Sequence, residues 1–209
     1  MEIVVFLLAS VIHGMVGFAF ALIATPLLSL ILPAKTAVLM TVIPTIFINL
    51  LSSFRFKNTK VLKEYLLFFI LIALGSAAGT FFLFFINQKI FMMFLVMIIW
   101  LFLYTDYKQI TFENMQKYKN IVAFLSGISA GITNVMSPIL LIYFLSVKKS
   151  KNDIIVISNI SFFIAKIMQF CLFLKYIDFP KNYFNMTVTI LIVEIVGFII
   201  GKKIGEKKL

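Results

Sequence analysis

GMVGFAFALIATPLLSL, residues 14–30, and GISAGITNVMSPILLIY, residues 127–143, are the stretches on which the fold turns. Each opens on glycine, passes through small or polar residues and reaches a proline followed by leucine or isoleucine. A second correspondence supports the first: LGSAAG at residues 74–79 answers VGFIIG at residues 196–201. The chain therefore reads as two copies of one unit. Transporters are commonly built from such repeats, with the substrate site at their interface near the membrane midplane, where broken helices expose polar ends.

The surroundings of both stretches are apolar. Of 209 residues, 62% are hydrophobic and 13% charged, and the charges fall in short clusters between long apolar runs. A globular domain carries about 25% charge spread over its surface, so a soluble domain is excluded. The runs cover residues 3–32, 36–54, 65–86, 90–105, 121–147, 154–174 and 184–200. Runs of 18 or more apolar residues can cross a hydrocarbon core of about 30 Å. Backbone amides in that core must be satisfied within the segment, so the runs read as helices. The expectation is an all-α integral membrane protein of about seven transmembrane helices in two halves of four and three. Residues 1–105 form the first repeat, 106–120 a polar connector and 121–209 the second repeat. The first and fifth runs exceed one span, and each holds an internal proline, Pro26 or Pro138, at which it is expected to break or re-enter.

The net charge of +11 comes from lysines clustered at span ends, the usual place for contacts with anionic headgroups and not a nucleic-acid footprint. If seven spans alternate, nine basic residues fall on each side, and the positive-inside rule gives no orientation. No basic residue precedes Lys35, which argues against a cleaved signal and for a retained first segment. The lone Cys171 forms no intrachain disulfide, and a single histidine offers no metal cluster. No cofactor is expected; the partners are the lipid bilayer and a small anion, with proton coupling as a further expectation.

GFAFALIATPLLSLILPAKTAVLM, residues 17–40, resembles the first-helix signature of the sulfite exporter TauE/SafE family, also known as the 4-toluene sulfonate uptake permease family. SGISAGITNVMSPILLIYFL, residues 126–145, is similar to its second-half counterpart. The resemblance implies an eight-helix permease in the cell membrane that moves small sulfur-containing or carboxylate anions. Against that pattern the second copy lacks its last helix, which keeps a non-transporting or truncated subunit open as the alternative.

The substrate path is expected to involve His13, Gly17, Thr25 and Pro26 of the first copy and Ser129, Gly131, Asn134, Ser137 and Pro138 of the second. Hydroxyls and amides there can donate to an anion where helix amino ends point inward. His13 is either a neutral group bonded between helices or a proton carrier. Residues 127–131 also spell GxSxG around Ser129, but a nucleophile elbow needs a strand before its turn, so a Ser129–His13 hydrolase is the weakest reading. Lys166 and Glu194 belong to the expected path as well, as a charged lining of it or else as a structural ion pair, because each is costly at bilayer depth unless paired or wetted. With a 1.5 Å rise they lie about 12 and 15 Å from the loop between the last two spans, and they are expected to meet.

Overall fold

The computed structural model describes residues 1–53, 59–108 and 112–207, and every regular element among them is helical. Five helices are long and apolar enough to cross a membrane: α3 (Ala34–Ser53), α5 (Leu66–Leu83), α6 (Gln88–Tyr107), α9 (Lys151–Tyr176) and α10 (Tyr183–Glu206). The two longest apolar runs are instead each split into a pair, α1 (Glu2–Val16) with α2 (Phe20–Ser29), and α7 (Lys119–Thr133) with α8 (Ser137–Ser146). A short α4 (Thr59–Glu64) precedes α5, and a 3-10 turn, Met115–Tyr118, precedes α7.

Each pair is a hairpin. The rings of Phe6 and Phe20 stack with centroids 6.0 Å apart. A continuous helix would separate them by about 21 Å, so α2 folds back along α1. In the second pair, Lys119 at the start of α7 donates to the Glu64 carbonyl at 2.9 Å, and Lys149, just past α8, reaches the Glu64 carboxylate at 3.2 Å. The Ser146 hydroxyl accepts from Phe112 N, and the Tyr143 hydroxyl donates to Gln116 Oε1. Both ends of α7–α8 therefore meet at one end of the bundle, here the Glu64 end. The first hairpin is anchored at the opposite, Gln88 end. There Gln88 Nε2 donates to Ser29 O at the close of α2, and Gln88 Oε1 accepts from Ala34 N at the start of α3. The two hairpins thus enter from opposite ends.

The breaks are not at the prolines. α1 stops at Gly17, whose φ of 95° lies in the left-handed region that favours glycine, and α2 resumes after Ala19. Pro26 lies inside α2, where it removes one backbone donor without ending the helix. α7 stops at Asn134, left-handed at φ 64°, the residue type after glycine that tolerates this cap. Pro138 sits in the first turn of α8, where a missing N–H costs nothing. The prolines are therefore not equivalent positions; the equivalent residues are Gly17 and Asn134.

Glycine decides how the halves interlock. Gly75 and Gly79 of α5 lie against Gly127, Ile128 and Gly131 of α7, so close that a Cβ on any of these glycines would overlap the facing backbone. Gly197, Gly201 and Gly205 of α10 meet Leu7, Ser10, Val11, Gly14 and Met15 of α1 in the same parallel sense. Small residues at four-residue spacing permit this approach in lipid, where dispersion contacts hold helices together. Each glycine helix thus packs on the hairpin of the other half. α3 and α9, the helices that follow the hairpins, pack on one another between them. α6 lies along α8, whereas no helix among the described residues takes that place beside α2.

Candidate functional site

The two hairpin tips are tied to the central pair α3 and α9. Asn134 Nδ2 donates to Thr41 Oγ1 at 2.6 Å and to Thr25 Oγ1 at 2.8 Å, joining the second tip to α3 and α2. Asn159 Nδ2 donates to Gly17 O at 2.8 Å, joining the first tip to α9. Thr41 is seven residues into α3 from the Gln88 end and Asn159 eight into α9 from the Glu64 end, depths of about 10 and 12 Å. Each tip is thus held well below a face, on opposite sides of the α3–α9 seam.

Around the tips lies an excess of polar groups. The hydroxyls of Thr45, Ser137, Ser158 and Ser161 and the amide oxygens of Asn134 and Asn159 are buried and have no hydrogen-bond partner among the described residues. Buried polar groups are ordinarily paired, so a cluster of orphans marks room for water or a ligand. Ser137 opens α8, whose amino end has no side-chain cap. Ser158 and Ser161 flank Asn159 on α9, the helix that holds the first tip and packs on α8.

His13 is a capping group. Its Nδ1 lies 3.3 Å from Ala19 N and 3.2 Å from Phe20 N, the first amides of α2. Amides can only donate, so Nδ1 is the unprotonated acceptor and Nε2 carries the hydrogen, donated to Ser52 Oγ at 2.8 Å. The imidazole is neutral here. The Ser129 hydroxyl donates to Val135 O across the second break, and Thr133 Oγ1 donates to Ser129 O. Ser129 and His13 are therefore committed to different tips, and no serine–histidine pair is assembled.

Lys166 and Glu194 are buried but do not meet. Lys166 Nζ donates to Ala130 O at 2.9 Å and to Gln169 Oε1 at 2.5 Å, while Gln169 Nε2 donates to Gly131 O at 2.9 Å. The Lys166 amino group thus donates to a carbonyl in the last turn of α7, the end of a helix that such donors complement. Glu194 lies on α10, which packs on α1 and α3, and both its oxygens lack a partner among the described residues. The expected pairing fails because α9 and α10, although consecutive, lie apart: α9 is drawn to α3, α5 and α7 instead.

A cavity of about 310 Å³ reaches the first tip. It opens at the Glu64 end, is lined by Gly14, Gly17, Ser52, Lys151, Asn152 and Lys202 among others, and touches the Ser52 side of the His13 bond. At the second tip Asn134 is fully buried, and an apolar pocket of about 360 Å³ between α6, α7 and α8 is lined by Ser129 and Thr133; towards the Gln88 end Lys35 Nζ donates to Phe84 O at 2.8 Å. Sequence reading reached Gly17, Thr25, Gly131, Asn134 and Ser137 through their motif, but missed Thr41, Ser52, Ser158 and Asn159. These stand in ordinary apolar helices, where a serine or asparagine gives no spacing signal.

A family model described as sulfite exporter TauE/SafE matches residues 2–209 of the chain. Comparisons with curated proteins and with solved structures gave no match.

Proposed function

Because the chain belongs to the sulfite exporter TauE/SafE family, we propose that it is a secondary transporter that carries a small sulfur-containing or organic anion, sulfite or a sulfonate, across the cell membrane. The observation that carries this reading is the set of buried hydroxyls without a partner among the described residues, Ser137 at the α8 amino end and Ser158 and Ser161 on α9, which packs on α8, between two inverted hairpin tips. An oxyanion needs hydrogen-bond donors in a dry site, and hydroxyls supply them together with the amides of a helix amino terminus. Ser137, Ser158 and Ser161 would hold the anion. Thr25, Thr41, Asn134 and Asn159 position the tips, His13 caps α2, and Lys166 fixes the end of α7 from behind.

In this reading the five long helices span the bilayer and the two hairpins re-enter it from opposite faces. That topology changes the charge count. Among the described residues, Lys35, Lys89, Lys175 and Lys181 lie at the Gln88 end, against eleven basic residues at the Glu64 end. The tie at nine each arises from counting each hairpin as a crossing; as re-entrant elements they leave Lys148, Lys149 and Lys151 on the same face as Lys117 and Lys119. The positive-inside rule then sets the Glu64 end in the cytoplasm. The cavity at the Gly17 tip opens on that face, with Lys151 and the Lys202–Glu206 ion pair in its lining. An exporter loads its substrate from this side.

The test is sulfite flux into liposomes that carry the purified full chain, with tosylate and a neutral sulfone as competitors. Saturable flux blocked by the anions and not by the sulfone supports the reading. Flux equal to that of protein-free liposomes would reject it.

A further inference from the structure

Among the described residues Glu194 is the one buried carboxylate, and the proposed anion site leaves it without a task. Its side chain is fully buried midway along α10, and neither oxygen meets a donor or a cation among the described residues. Gly197 packs on Ser10 and the two helices run parallel, which sets Glu194 beside Leu7 of α1. The charged and titratable groups on the packed helices do not serve it. On α1, Glu2 lies five residues back from Leu7, about 7.5 Å along the axis, and His13 lies six residues on, with both ring nitrogens committed. On α3, Lys35 is in the first turn and bonded to Phe84 O. On α10 itself, Lys202, Lys203 and Glu206 are more than two turns away at the Glu64 end.

A polar acceptor lies at the same depth. Tyr183 Oη donates to Leu39 O, which aligns α10 with α3. Eleven residues further along α10 is Glu194, and ten further along α3 is Asn49, whose buried Oδ1 lacks a donor. An ionised carboxylate in this seam costs several kcal/mol without a counter-ion. A protonated carboxyl carries its own O–H donor, and Asn49 Oδ1 needs one.

We propose that Glu194 is the proton-binding site of the transporter, separate from the anion site. The step is Glu194 carboxylate plus a proton from water at the membrane face giving the neutral carboxyl, with nothing oxidised or reduced. The neutral form is compatible with the close α1–α10 seam. Release of the proton favours a conformation in which α10 shifts from α1 and the carboxylate meets water. Because α1 ends at the Gly17 tip that lines the cavity, proton occupancy biases the hairpin that gates the anion.

Two measurements test this, and the second alone rests on the transport reading. The first treats the full chain in lipid nanodiscs with dicyclohexylcarbodiimide, which modifies protonated carboxyls in apolar settings, and maps the adduct by mass spectrometry. Labelling at Glu194 that declines as pH rises, and is lost in Glu194→Gln, is expected; no labelling, or labelling independent of pH, overturns the proposal. The second follows sulfite flux in liposomes under an imposed pH gradient. Wild type and Glu194→Asp should respond to the gradient, and Glu194→Gln should lose the response. A retained response in Glu194→Gln, or one that follows a sodium gradient in its place, overturns it. If the wild type moves no sulfite at all, the transport reading fails, and carbodiimide labelling still decides Glu194.

Discussion

Ser137 and Asn134 stand three residues apart and should answer differently to truncation. The Ser137 hydroxyl has no partner among the described residues, so Ser137→Ala removes no hydrogen bond that they make. It should leave the thermal unfolding midpoint in detergent unchanged and raise the half-saturating sulfite concentration about fivefold, the value of one hydrogen bond near 1 kcal/mol. Asn134→Ala removes two bonds at 2.6 and 2.8 Å and the residue that accepts a left-handed φ. It should lower both the unfolding midpoint and the flux. Lys166→Met should also cost stability, by about 1 kcal/mol, since it strips a donor from Ala130 O and Gln169 Oε1. An unchanged midpoint in Lys166→Met would return that lysine to the transport path. Polar type and motif membership made the Asn134 neighbourhood legible in sequence. The partner of Lys166 was not legible, because depth along consecutive helices says where two charges lie along the membrane normal and nothing of the direction in which each faces.

At the scale of elements, the glycine seams make a graded prediction. A Cβ at Gly201 would overlap Val11 O and one at Gly79 would overlap Ile128 O, both backbone atoms on rigid helices. A Cβ at Gly205 would meet Met15 O at 2.9 Å, near the end of α10 where the helix can give. Gly201→Ala and Gly79→Ala should therefore sharply reduce the yield of monodisperse protein in size-exclusion chromatography, and Gly205→Ala should reduce it less. Equal yields from all three would show that the seams are looser than the geometry implies. The four-residue spacing announced these seams in the sequence, but not their partners. Each glycine helix stands in one half of the sequence and packs on the hairpin of the other, where the closest backbone approach is found. The prolines misplaced the breaks for a related reason. Proline removes a donor wherever it stands, yet a helix ends where the backbone changes hand, and here glycine and asparagine make that change.

For the whole molecule, the proposed re-entry of the two hairpins would decide the count of crossings, the orientation and the access of the cavity together. Apolar length could not distinguish a hairpin from a broken span, since both occupy about 25 residues of lipid-compatible sequence. The contact of Lys119 and Lys149 with one glutamate, Glu64, separates them. Cysteine accessibility gives the most direct test. In a Cys171→Ser background, single cysteines at Lys117, before α7, and at Ser150, after α8, are probed with a membrane-impermeant maleimide in intact and in permeabilised cells, with Lys181→Cys as the marker of the opposite face. Re-entry predicts that Lys117→Cys and Ser150→Cys react alike, only after permeabilisation, while Lys181→Cys reacts in intact cells. Labelling of Lys117→Cys and Ser150→Cys from opposite sides of the membrane would contradict the account.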